Sequence, residues 1–480
     1  MNFLKGIGIM LLITIALYSC KSEPERAEKV VIISTNDIHA QISGFPQLAA
    51  FVEQKRAEGG QVIVVDAGDR FSGNPYVDHG AEQGLPMIQL MNKVGYEVAT
   101  MGNHDFDYGQ TVLKKRLQEA QFPVICANMK SEGSELGKMA PYLMLEKGGH
   151  KFCFFSLIQT GSNHIPATNP ANLEKISFRY YKDVAREYKR LASECDVMIG
   201  LTHLGFADDS LLALVMPELD VIVGGHSHTE VHTPVTVNGV MIGQTGSGLN
   251  YAGVTTLKFN GKKLVDKTYQ LVSLKDFGTA DQEVELMVEE INNQPEFKKV
   301  LGQATAELKS KEDVASFVTD AMSDAAQTDF AFYNKGGVRL NFLPAGDITV
   351  ETVYKIEPFS NYIVLHDWTL GQMKEFILKD YNKFADKNRR YINYFISAGK
   401  YEIILDKNGD GVDVAFYDRD GKLLKDSQKK YKIAFSNYVA SSNDNVKGGE
   451  KTDIYIADAV AGFLKKKGKI EYDGRRAFIK

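Results

Sequence analysis

The sequence predicts an α/β protein whose character changes at about residue 301. In the first half, short β-branched apolar runs that end in polar residues recur, and helical patterns lie between several of them. Continuous apolar runs of this length are typical of strands buried on both faces of a sheet. Alternation of strand and helix is typical of layered α/β folds. The runs are KVVIISTND, GQVIVVDAGD, YEVATMGNHD, CDVMIGLTHLG and LDVIVGGHSH.

The elements between and after these runs can be predicted in chain order. Residues 45–59 and 109–121 carry helical patterns, and residues 252–274 predict a β-hairpin around the Asn260-Gly261 dipeptide. Residues 281–297 predict an amphipathic helix that links two domains, and the second domain contains hairpins such as YEIILDKNGDGVDVAFYDRDGKLL. The predicted organisation is a signal peptide and tether (1–28), an N-terminal domain (29–275), a linker helix (276–300) and a C-terminal domain (301–480).

Composition and charge place the chain among ordinary globular proteins. It has 480 residues, of which 44% are hydrophobic and 24% are charged, so it can build a large core. The formal net charge is −5 and the sequence pI is about 6.1, which argues against a nucleic-acid polymer as partner. The sequence does not indicate an oligomeric state.

The first 20 residues have the pattern of an export signal. Lys5 precedes an apolar run from Ile7 to Leu17 that is too short to span a bilayer. The ending LYSC resembles a bacterial lipoprotein cleavage box. That resemblance implies that Cys20 becomes the lipidated first residue of an exported, membrane-anchored protein, periplasmic or at the cell surface. A plain signal peptide cleaved nearby is the alternative.

Two other patterns predict no site. Cys126 and Cys153 lie in apolar runs, and with Cys195 they make an odd, scattered set that is typical of buried residues rather than of a disulfide framework. The stretch DKNGDG, residues 406–411, matches the start of an EF-hand calcium loop, but Tyr417 stands where that loop needs a bidentate Glu. A hairpin turn is therefore the better prediction for this stretch.

The polar residues at the ends of the five runs form one set with the composition of a metal site. Five of the chain's 10 histidines belong to it. Carboxylate, amide and imidazole groups together suit Zn²⁺ or Mn²⁺, and a set with one shareable carboxylate suits two ions better than one. The alternative, five unrelated polar turns, requires a coincidence at every strand end. The set comprises Asp37, His39, Asp69, Asn103, His104, His203, His226 and His228.

This ordered series resembles the calcineurin-like metallophosphatase superfamily and, more narrowly, the 5′-nucleotidase family. The resemblance covers nearly the whole mature chain and is most specific in residues 30–250. It implies a four-layer α/β/β/α sandwich with a second, smaller α/β substrate-binding domain, and two divalent ions such as Zn, Mn or Co. It also implies that Asp37, His39 and His228 hold one ion, that Asn103, His203 and His226 hold the other, and that Asp69 bridges them.

The stretch GNHDFDYG resembles the catalytic turn of the family, with Asp105 where Glu is frequent. The resemblance implies that His104 acts in catalysis without being a metal ligand, and that Asp107 orients it. Elementary chemistry agrees, because two close ions can activate water and hold phosphoryl oxygens. An imidazolium can stabilise the developing charge or protonate the leaving oxygen, and a nearby carboxylate commonly fixes such a ring.

Three segments of the C-terminal half resemble substrate-binding segments of the same family. FAFYNKGGVRLNF implies that Arg339 meets the substrate phosphate and that Asn334 lies near the base. EPFSN and SNYVASSNDN imply that Phe359 and Tyr438 are the two rings that stack on the base. Asp444 falls where the family has an acid that contacts the ribose hydroxyls.

The sequence also departs from the family pattern. Lys335 replaces a usual Gly, residues 442–445 read SNDN where Gly-Gly-Asp-Gly is usual, and KSKEDVASFVTDAM lacks an arginine and a Gly-Asn pair. We therefore expect hydrolysis of nucleoside 5′-monophosphates, with a 2′,3′-cyclic-nucleotide phosphodiesterase/3′-nucleotidase or a nucleotide-sugar hydrolase as alternatives. A non-catalytic nucleotide-binding lipoprotein is disfavoured because neither the bridging Asp nor the catalytic His is missing. A thiosulfohydrolase is disfavoured by the two stacking rings.

Overall fold

The structure is a computed structural model that describes residues 28–161 and 164–480. The predicted export signal, including Cys20, lies outside the described residues. Within the two described ranges, no helix is long and apolar enough to cross a membrane.

The N-terminal half alternates strands and helices in the predicted order. Its strands are β1 (Lys29–Thr35), β2 (Gln61–Asp66), β3 (Val98–Thr100), β4 (Val124–Ile125), β5 (Met129–Lys130), β6 (Tyr142–Lys147), β7 (His150–Ile158), β8 (Ser177–Phe178), β9 (Val197–His203), β10 (Val221–Val223), β11 (Val235–Val237), β12 (Val240–Gly243), β13 (Tyr251–Asn260) and β14 (Lys263–Ser273). Its helices are α1 (Phe45–Ala57), α2 (Pro75–Asp78), α3 (Leu85–Val94), α4 (Gly109–Glu119), α5 (Tyr181–Glu187), α6 (Phe206–Val215) and α7 (Gln282–Ile291), with 3₁₀ turns at His104–Phe106, Pro170–Leu173, Lys189–Ser193 and Pro295–Lys298.

Most of these strands form two six-stranded mixed sheets. In the first sheet the order is β14-β13-β1-β2-β3-β4, with β1 to β4 parallel and the β13–β14 hairpin antiparallel to β1. In the second sheet the order is β11-β12-β10-β9-β7-β6, with a parallel centre and antiparallel edge strands. The short strands β5 and β8 pair separately.

The two sheets pack face to face between two helical layers. Because successive residues of a strand point to opposite faces, Val30 and Ile32 of β1 pack with Phe154 between the sheets. Val31 and Ile33 point the other way, into a core that contains residues of α1, α3 and α7. The outer face of the second sheet packs against α5 and α6. The predicted four-layer α/β/β/α sandwich is therefore confirmed.

The C-terminal half contains a further set of strands and helices. Its strands are β15 (Val300–Ala304), β16 (Phe330–Asn334), β17 (Gly346–Thr349), β18 (Tyr362–Thr369), β19 (Tyr394–Ile396), β20 (Lys400–Leu405), β21 (Gly411–Tyr417), β22 (Lys430–Ser436), β23 (Glu450–Tyr455), β24 (Lys469–Ile470) and β25 (Ala477–Ile479). Its helices are α8 (Lys311–Ala326), α9 (Val350–Ile356), α10 (Leu370–Tyr381), α11 (Asn437–Ser442) and α12 (Ile456–Lys467), with 3₁₀ turns at Lys335–Gly337, Lys387–Arg389 and Asp444–Val446.

A five-stranded sheet with the order β19-β16-β22-β18-β23 organises this second half. One face packs against α8, α9 and α12. The other face packs against α10 and the β20–β21 hairpin. The predicted smaller α/β unit is confirmed by this arrangement.

Several local predictions also have clear outcomes. The β13–β14 hairpin turns after Asn260, as predicted. The stretch 406–411 is the turn between β20 and β21, where the Asp406 carboxylate accepts the backbone N–H groups of Asn408 and Asp410. Cys126 and Cys153 are buried in apolar cores.

The predicted linker helix is α7, and it packs with the N-terminal half. Val284 and Val288 lie in the core formed by the first sheet and helices α1 and α3. The amphipathic pattern therefore reflects burial on that core. The domain boundaries at residues 275 and 301 remain predictions.

The two sheets bring the carboxyl ends of five strands to one place. Side chains at these strand ends form hydrogen bonds with backbone groups of neighbouring loops. The Nδ1 atom of His203, at the end of β9, lies 2.7 Å from the carbonyl oxygen of Ala67, just after β2. The backbone N–H of His226, after β10, donates to Asp37, after β1, at 2.8 Å. These contacts join the two sheets at the edge where the predicted metal ligands lie.

Candidate metal centre and substrate cavity

The loops that follow the five strands place the predicted ligands in one cluster. Asp37 and His39 follow β1, Asp69 follows β2, and Asn103 follows β3. His203 is the last residue of β9, whereas His226 and His228 follow β10. Most of these side chains are buried, with His203 and Asp37 at 0% exposure. The structure thus brings together all seven residues that the sequence predicts as ligands.

The backbone of these loops is unusual. Five of the seven residues have positive φ angles, namely Asp37 (48°), His39 (49°), Asp69 (59°), His226 (81°) and His228 (53°). Residues other than glycine rarely adopt this left-handed conformation, which costs about 1–3 kcal/mol at each position and is concentrated at functional sites. These conformations occur in the loops after β1, β2 and β10, where the side chains turn toward the shared cluster.

Glycines allow the loops to approach each other closely. A Cβ atom on Gly102 would lie 2.2 Å from the backbone nitrogen of Asp69. A Cβ atom on Gly68 would lie 2.7 Å from the backbone nitrogen of Gly102 and 2.9 Å from Nδ1 of His203. Larger residues at either position would therefore push the loops after β2 and β3 apart.

One group of ligand atoms lies around Asp37. The Nε2 atoms of His39 and His228 are 3.0 Å apart, and Oδ1 of Asp37 lies 3.4 Å from Nε2 of His228. Oδ1 of Asp37 is also 4.0 Å from Nε2 of His39. These three side chains offer ligand atoms within 4.8 Å of one another, a spacing that one metal ion can span.

A second group lies around His203. Its Nε2 atom is 3.1 Å from Oδ2 of Asp69, and Asp69, His203 and His226 also offer ligand atoms within 4.8 Å. Nδ1 of His226 lies 2.9 Å from Oδ1 of Asn103, so the Asn103 side chain belongs to this group. The amide nitrogen of Asn103 donates to the carbonyl oxygen of Ala167, which leaves Oδ1 of Asn103 directed toward His226.

Asp69 lies between the two groups. Its Oδ2 atom is 3.1 Å from His203 in the second group and 4.0 Å from His39 in the first. Its Oδ1 atom accepts the backbone N–H of His104 at 2.8 Å, which fixes the carboxylate. This position is the one required of a ligand shared by two ions.

The chemistry of the cluster fits divalent metal ions. Among the described residues, Oδ1 of Asp37 and Nε2 of His203 are buried polar atoms without a hydrogen-bond partner, which is costly unless another group binds them. Burial lowers the pKa of His203, but Asp69 and Asp37 outweigh it and raise that pKa to about 10. The buried acids thus attract positive charge, which metal ions with oxygen and imidazole ligands supply.

His104 and Asp107 form a separate pair beside the ligands. Nδ1 of His104 donates to Oδ2 of Asp107 at 2.7 Å. Burial opposes charge on His104, yet Asp107 and Asp69 together raise its pKa. The hydroxyls of Ser72 and Thr168 also donate to Asp107, at 2.7 and 3.0 Å. The sequence analysis did not identify Ser72 or Thr168, since a hydroxyl in a loop carries no distinctive spacing.

The sequence analysis also did not identify a buried ion-pair network next to the metal centre. Arg70 is 1% exposed, and its guanidinium donates to Asp66 at 3.1 Å, to Asp105 at 2.8 Å and to the carbonyl oxygen of Thr100 at 2.8 Å. Asp105 additionally accepts the backbone N–H groups of Arg70 and Gly102. The only available sequence signal was the charged residue in DAGDRF, directly after a predicted ligand.

A cavity of about 480 Å³ opens from the metal centre toward the C-terminal half. Arg339 is the only Arg or Lys among the described residues that line it. Its Nη2 atom lies 3.5 Å from Nε2 of His39, so a side chain of the second half reaches the metal centre. The lining residues are Asp69, Asn103, His104, Asp107, Ala167, Thr168, Asn169, Asn172, His226, His228, Asn334, Gly336, Gly337, Arg339, Phe359, Ser360, Asn361, Tyr362, Asn437, Tyr438 and Tyr455.

Four of the five predicted substrate-binding residues line this cavity. The ring of Phe359 lies 5.6 Å from the Arg339 guanidinium carbon and 5.5 Å from the His104 ring centroid. Asn334 has a buried Oδ1 atom without a partner in the described structure, and Tyr438 lies on α11. Asp444 begins a 3₁₀ turn, and its side chain lies outside the described part of the chain.

Comparison with known proteins agrees with this architecture. Residues 30–230 match the model of the calcineurin-like phosphoesterase family, and residues 294–448 match that of the 5′-nucleotidase C-terminal domain. The chain is 27% identical over 515 residues to the protein UshA of Yersinia enterocolitica, covering 92% of this chain and 90% of that protein. It is 27% identical over 428 residues to a 5′-nucleotidase of Vibrio cholerae, covering 74% and 76% of the two chains.

A solved structure shows the same fold. A 5′-nucleotidase precursor from Thermus thermophilus superposes with a TM-score of 0.81 at 22% sequence identity, covering 94% of this chain and 99% of that one. The two family models fall on the N-terminal and C-terminal halves of the described structure. The chain carries a calcineurin-like phosphoesterase domain followed by a 5′-nucleotidase C-terminal domain, and it is a metal-dependent phosphoester hydrolase.

Proposed function

We propose that this enzyme hydrolyses nucleotides, with nucleoside 5′-monophosphates as the preferred class and nucleoside and phosphate as products. The observation that carries the proposal is the shared cavity. Arg339, Phe359 and Tyr438 of the second half line it together with Asp69 and His104 of the first. A phosphate at the metal centre can thus be joined to a base among the aromatic rings. The name of the Vibrio cholerae relative, 5′-nucleotidase, supports the same substrate class.

The two groups around Asp37 and His203 are proposed to hold two divalent ions, with Asp69 shared between them. When bound, such ions supply positive charge to the phosphoryl oxygens and make water a stronger nucleophile at neutral pH. The residues of the chain can then orient the phosphate. Arg339, with its planar guanidinium beside His39, is placed to donate to a phosphate oxygen.

His104 is proposed to act on the leaving oxygen. Asp107 accepts from Nδ1 of His104, so Nε2 is directed away from Asp107 and can carry a proton toward the substrate. Burial opposes a charge on His104, but Asp107 and Asp69 raise its pKa, which favours the protonated ring that such a donation needs. Ser72 and Thr168 hold Asp107 in the orientation that this transfer requires.

The aromatic residues are proposed to bind the base. Stacking on a ring stabilises a bound base by about 1–3 kcal/mol and tolerates different bases. Phe359 lies in the loop between α9 and β18, Tyr438 lies on α11, and both line the cavity. Asn334, with its unpartnered Oδ1 atom, can accept a hydrogen bond from an exocyclic amine of the base.

A cyclic or nucleotide-sugar substrate is the second candidate because one phosphate-binding segment departs from the family pattern. Ser310, at the start of α8, caps the helix: its side chain bonds with Asp313 in both directions. The hydroxyl of Ser310 and the carboxylate of Asp313 are therefore already hydrogen-bonded to each other. Since Arg339 is the only Arg or Lys lining the cavity in the described structure, a dianionic monophosphate finds less positive charge than two arginines would give.

We further propose that the protein is exported and anchored through a lipid on Cys20. The proposal rests on the sequence of residues 1–28, with its charged start, short apolar run and LYSC ending. Metabolic labelling with a fatty acid, compared between the natural chain and Cys20→Ala, tests it. Equal labelling of the two proteins would contradict it.

A phosphate-release screen of the purified protein tests the substrate class. With Mn²⁺, Zn²⁺ or Co²⁺ added, we expect faster turnover of nucleoside 5′-monophosphates than of 3′-monophosphates, 2′,3′-cyclic nucleotides, nucleoside diphosphates and nucleotide sugars. The Asp69→Asn protein serves as the control for contaminating activity. Fastest turnover of a cyclic or sugar nucleotide would replace the first candidate by the second.

Asp69→Asn should lose metal and most activity with every substrate, because an amide oxygen binds and bridges two cations far less well than a carboxylate. Metal content after dialysis, measured by mass spectrometry, should fall toward one ion or none. Asp266→Asn, on an exposed strand of the same half, is the matched control. Two retained ions with normal turnover would show that Asp69 does not bridge.

His104→Asn should keep metal content near normal while lowering kcat by about 10²–10⁴-fold, the usual effect of losing a general acid or base. The loss should be smaller for p-nitrophenyl phosphate, whose leaving group needs no proton. His232→Asn, an exposed histidine of the same half, is the control. Loss of metal instead would identify His104 as a ligand.

Phe359→Ala and Tyr438→Ala should each raise KM for nucleotides by about 5- to 150-fold, the equivalent of 1–3 kcal/mol of stacking. Turnover of p-nitrophenyl phosphate should change little, since this substrate has no base. Phe342→Ala, at an exposed aromatic residue outside the cavity lining, is the control. Equal losses for both substrates would mean that the rings support the fold and do not bind the base.

A further inference from the structure

A buried carboxylate lies behind the two substrate-binding loops of the C-terminal half. Glu357 directly follows α9 and is 0% exposed. No Arg or Lys forms an ion pair with it among the described residues. A carboxyl group in such a place is costly unless its oxygens accept hydrogen bonds, and its contacts indicate what it does.

Glu357 forms a closed set of hydrogen bonds with Tyr333 and Asn361. Its Oε1 atom accepts from Oη of Tyr333 at 3.0 Å and from Nδ2 of Asn361 at 2.7 Å. Nδ2 of Asn361 also lies 3.3 Å from Oη of Tyr333. All three residues are at most 5% exposed, so water does not compete for these bonds.

Tyr333 connects the set to the loop that carries Arg339. It immediately precedes Asn334, and its ring packs against Gly337, where a Cβ atom would lie 2.6 Å from Cζ of the ring. Arg339 is tied to the same place, because its backbone N–H donates to the carbonyl oxygen of Ile356 at 2.9 Å. Both ends of this loop are therefore fixed next to Glu357.

Asn361 connects the set to the loop that carries Phe359. Residues 357–361 turn sharply, with Ser360 at a φ of 52°. A non-glycine residue in this conformation persists only where its surroundings hold it. The bond from Asn361 to Glu357 spans the turn, so it fixes the direction in which Phe359 points into the cavity.

We propose that Glu357 is a positioning residue. It holds the loop of Arg339, which would bind the phosphate, and the loop of Phe359, which would bind the base, at a fixed distance and orientation to each other. This inference rests on the proposed nucleotide substrate. A nucleotide must reach the guanidinium with its phosphate and the ring with its base at the same time, and a fixed spacing between the two lowers the entropic cost of binding.

The electrostatics of Glu357 agree with a structural position of this kind. Burial raises the pKa of Glu357 to about 7, against the hydrogen bonds from Asn361 and Tyr333. Its Oε1 atom accepts both of these side-chain hydrogen bonds. A glutamine would retain the accepting oxygen, so the shape of the set does not require a negative charge.

The test compares Glu357→Leu with Glu357→Gln. Leucine leaves the Tyr333 hydroxyl and the Asn361 amide without an acceptor, and we expect KM for nucleoside monophosphates to rise about 10-fold with metal content unchanged. Glutamine keeps the acceptor, and we expect a KM within about 2-fold of the natural protein. KM for p-nitrophenyl phosphate should rise less than that for nucleotides, since only the phosphate contact is affected.

Two further variants separate positioning from loss of stability. Asp320→Asn breaks the pair between Asp320 and Arg476 on the same unit, away from the cavity, and should lower the unfolding temperature without raising KM. Tyr333→Phe removes only one hydroxyl and should raise the nucleotide KM above that of the natural protein, which keeps the test valid where leucine prevents folding. A KM increase in Asp320→Asn equal to that in Glu357→Leu would overturn the proposal, as would equal KM values for the leucine and glutamine variants.

Phe359→Ala distinguishes this inference from the proposed function. If Phe359→Ala raises the nucleotide KM and Glu357→Leu does not, the positioning role is wrong and the nucleotide substrate stands. If neither variant changes the nucleotide KM, the proposed base-binding site itself is wrong. A rise in both, with recovery in Glu357→Gln, supports the two together.

Discussion

The metal centre depends on the buried pairing of Arg70 with two carboxylates. Arg70 follows the predicted bridging residue Asp69, and its guanidinium reaches Asp66 at the end of β2 and Asp105 in the turn after β3. Burial raises the pKa of Asp66 to about 7 even beside this cation, so the network itself carries a desolvation cost. What it provides is geometry: it joins the loop of Asp69 to the loop of Asn103 and His104, so that acids and imidazoles which would otherwise separate remain in contact.

The second half of the molecule completes the walls of the cavity above this network. Oη of Tyr76, on α2, donates to Glu351, on α9, at 2.9 Å, and the rings of His79 and Tyr354 stack with centroids 3.9 Å apart. These contacts hold the helix that precedes Glu357 against the N-terminal half. Arg339 and Phe359 then face His39 and His104 across the cavity. The distance from the metal centre to the ring of Phe359 is therefore set by packing between the two halves, as well as by packing within the second half.

The sequence predicted what is local and missed what depends on contact between distant segments. Apolar runs that end in polar residues predicted strands of the first half and the seven residues that the structure brings together, because buried strands are visible in the hydropathy of the sequence. The hydropathy pattern does not show how the strands divide into two sheets, since pairs such as β7 and β9 form only in the folded chain. Arg70 and Glu357 were not identified from the sequence for the same reason. Arg70 bonds to Asp105 and Glu357 to Tyr333, and each partner lies at least 24 positions away along the chain.

With the proposed function, substrate recognition relies on position more than on charge. Arg339 is the only Arg or Lys among the described residues that line the cavity, and the segment around Ser310 caps α8. A single guanidinium beside bound divalent ions would attract any phosphate, including that of a small aryl ester, and so would discriminate weakly. Discrimination in favour of nucleotides would then come from the ring of Phe359 and from its proposed fixed relation to Arg339. The proposed relation passes through Glu357, Tyr333 and Asn361, none of which belongs to the clustered ligand groups of the described structure. Arg339 and Phe359 themselves lie beside His39 and His104. Substitutions at the three buried residues would therefore alter how a substrate is positioned without replacing a residue of the metal centre.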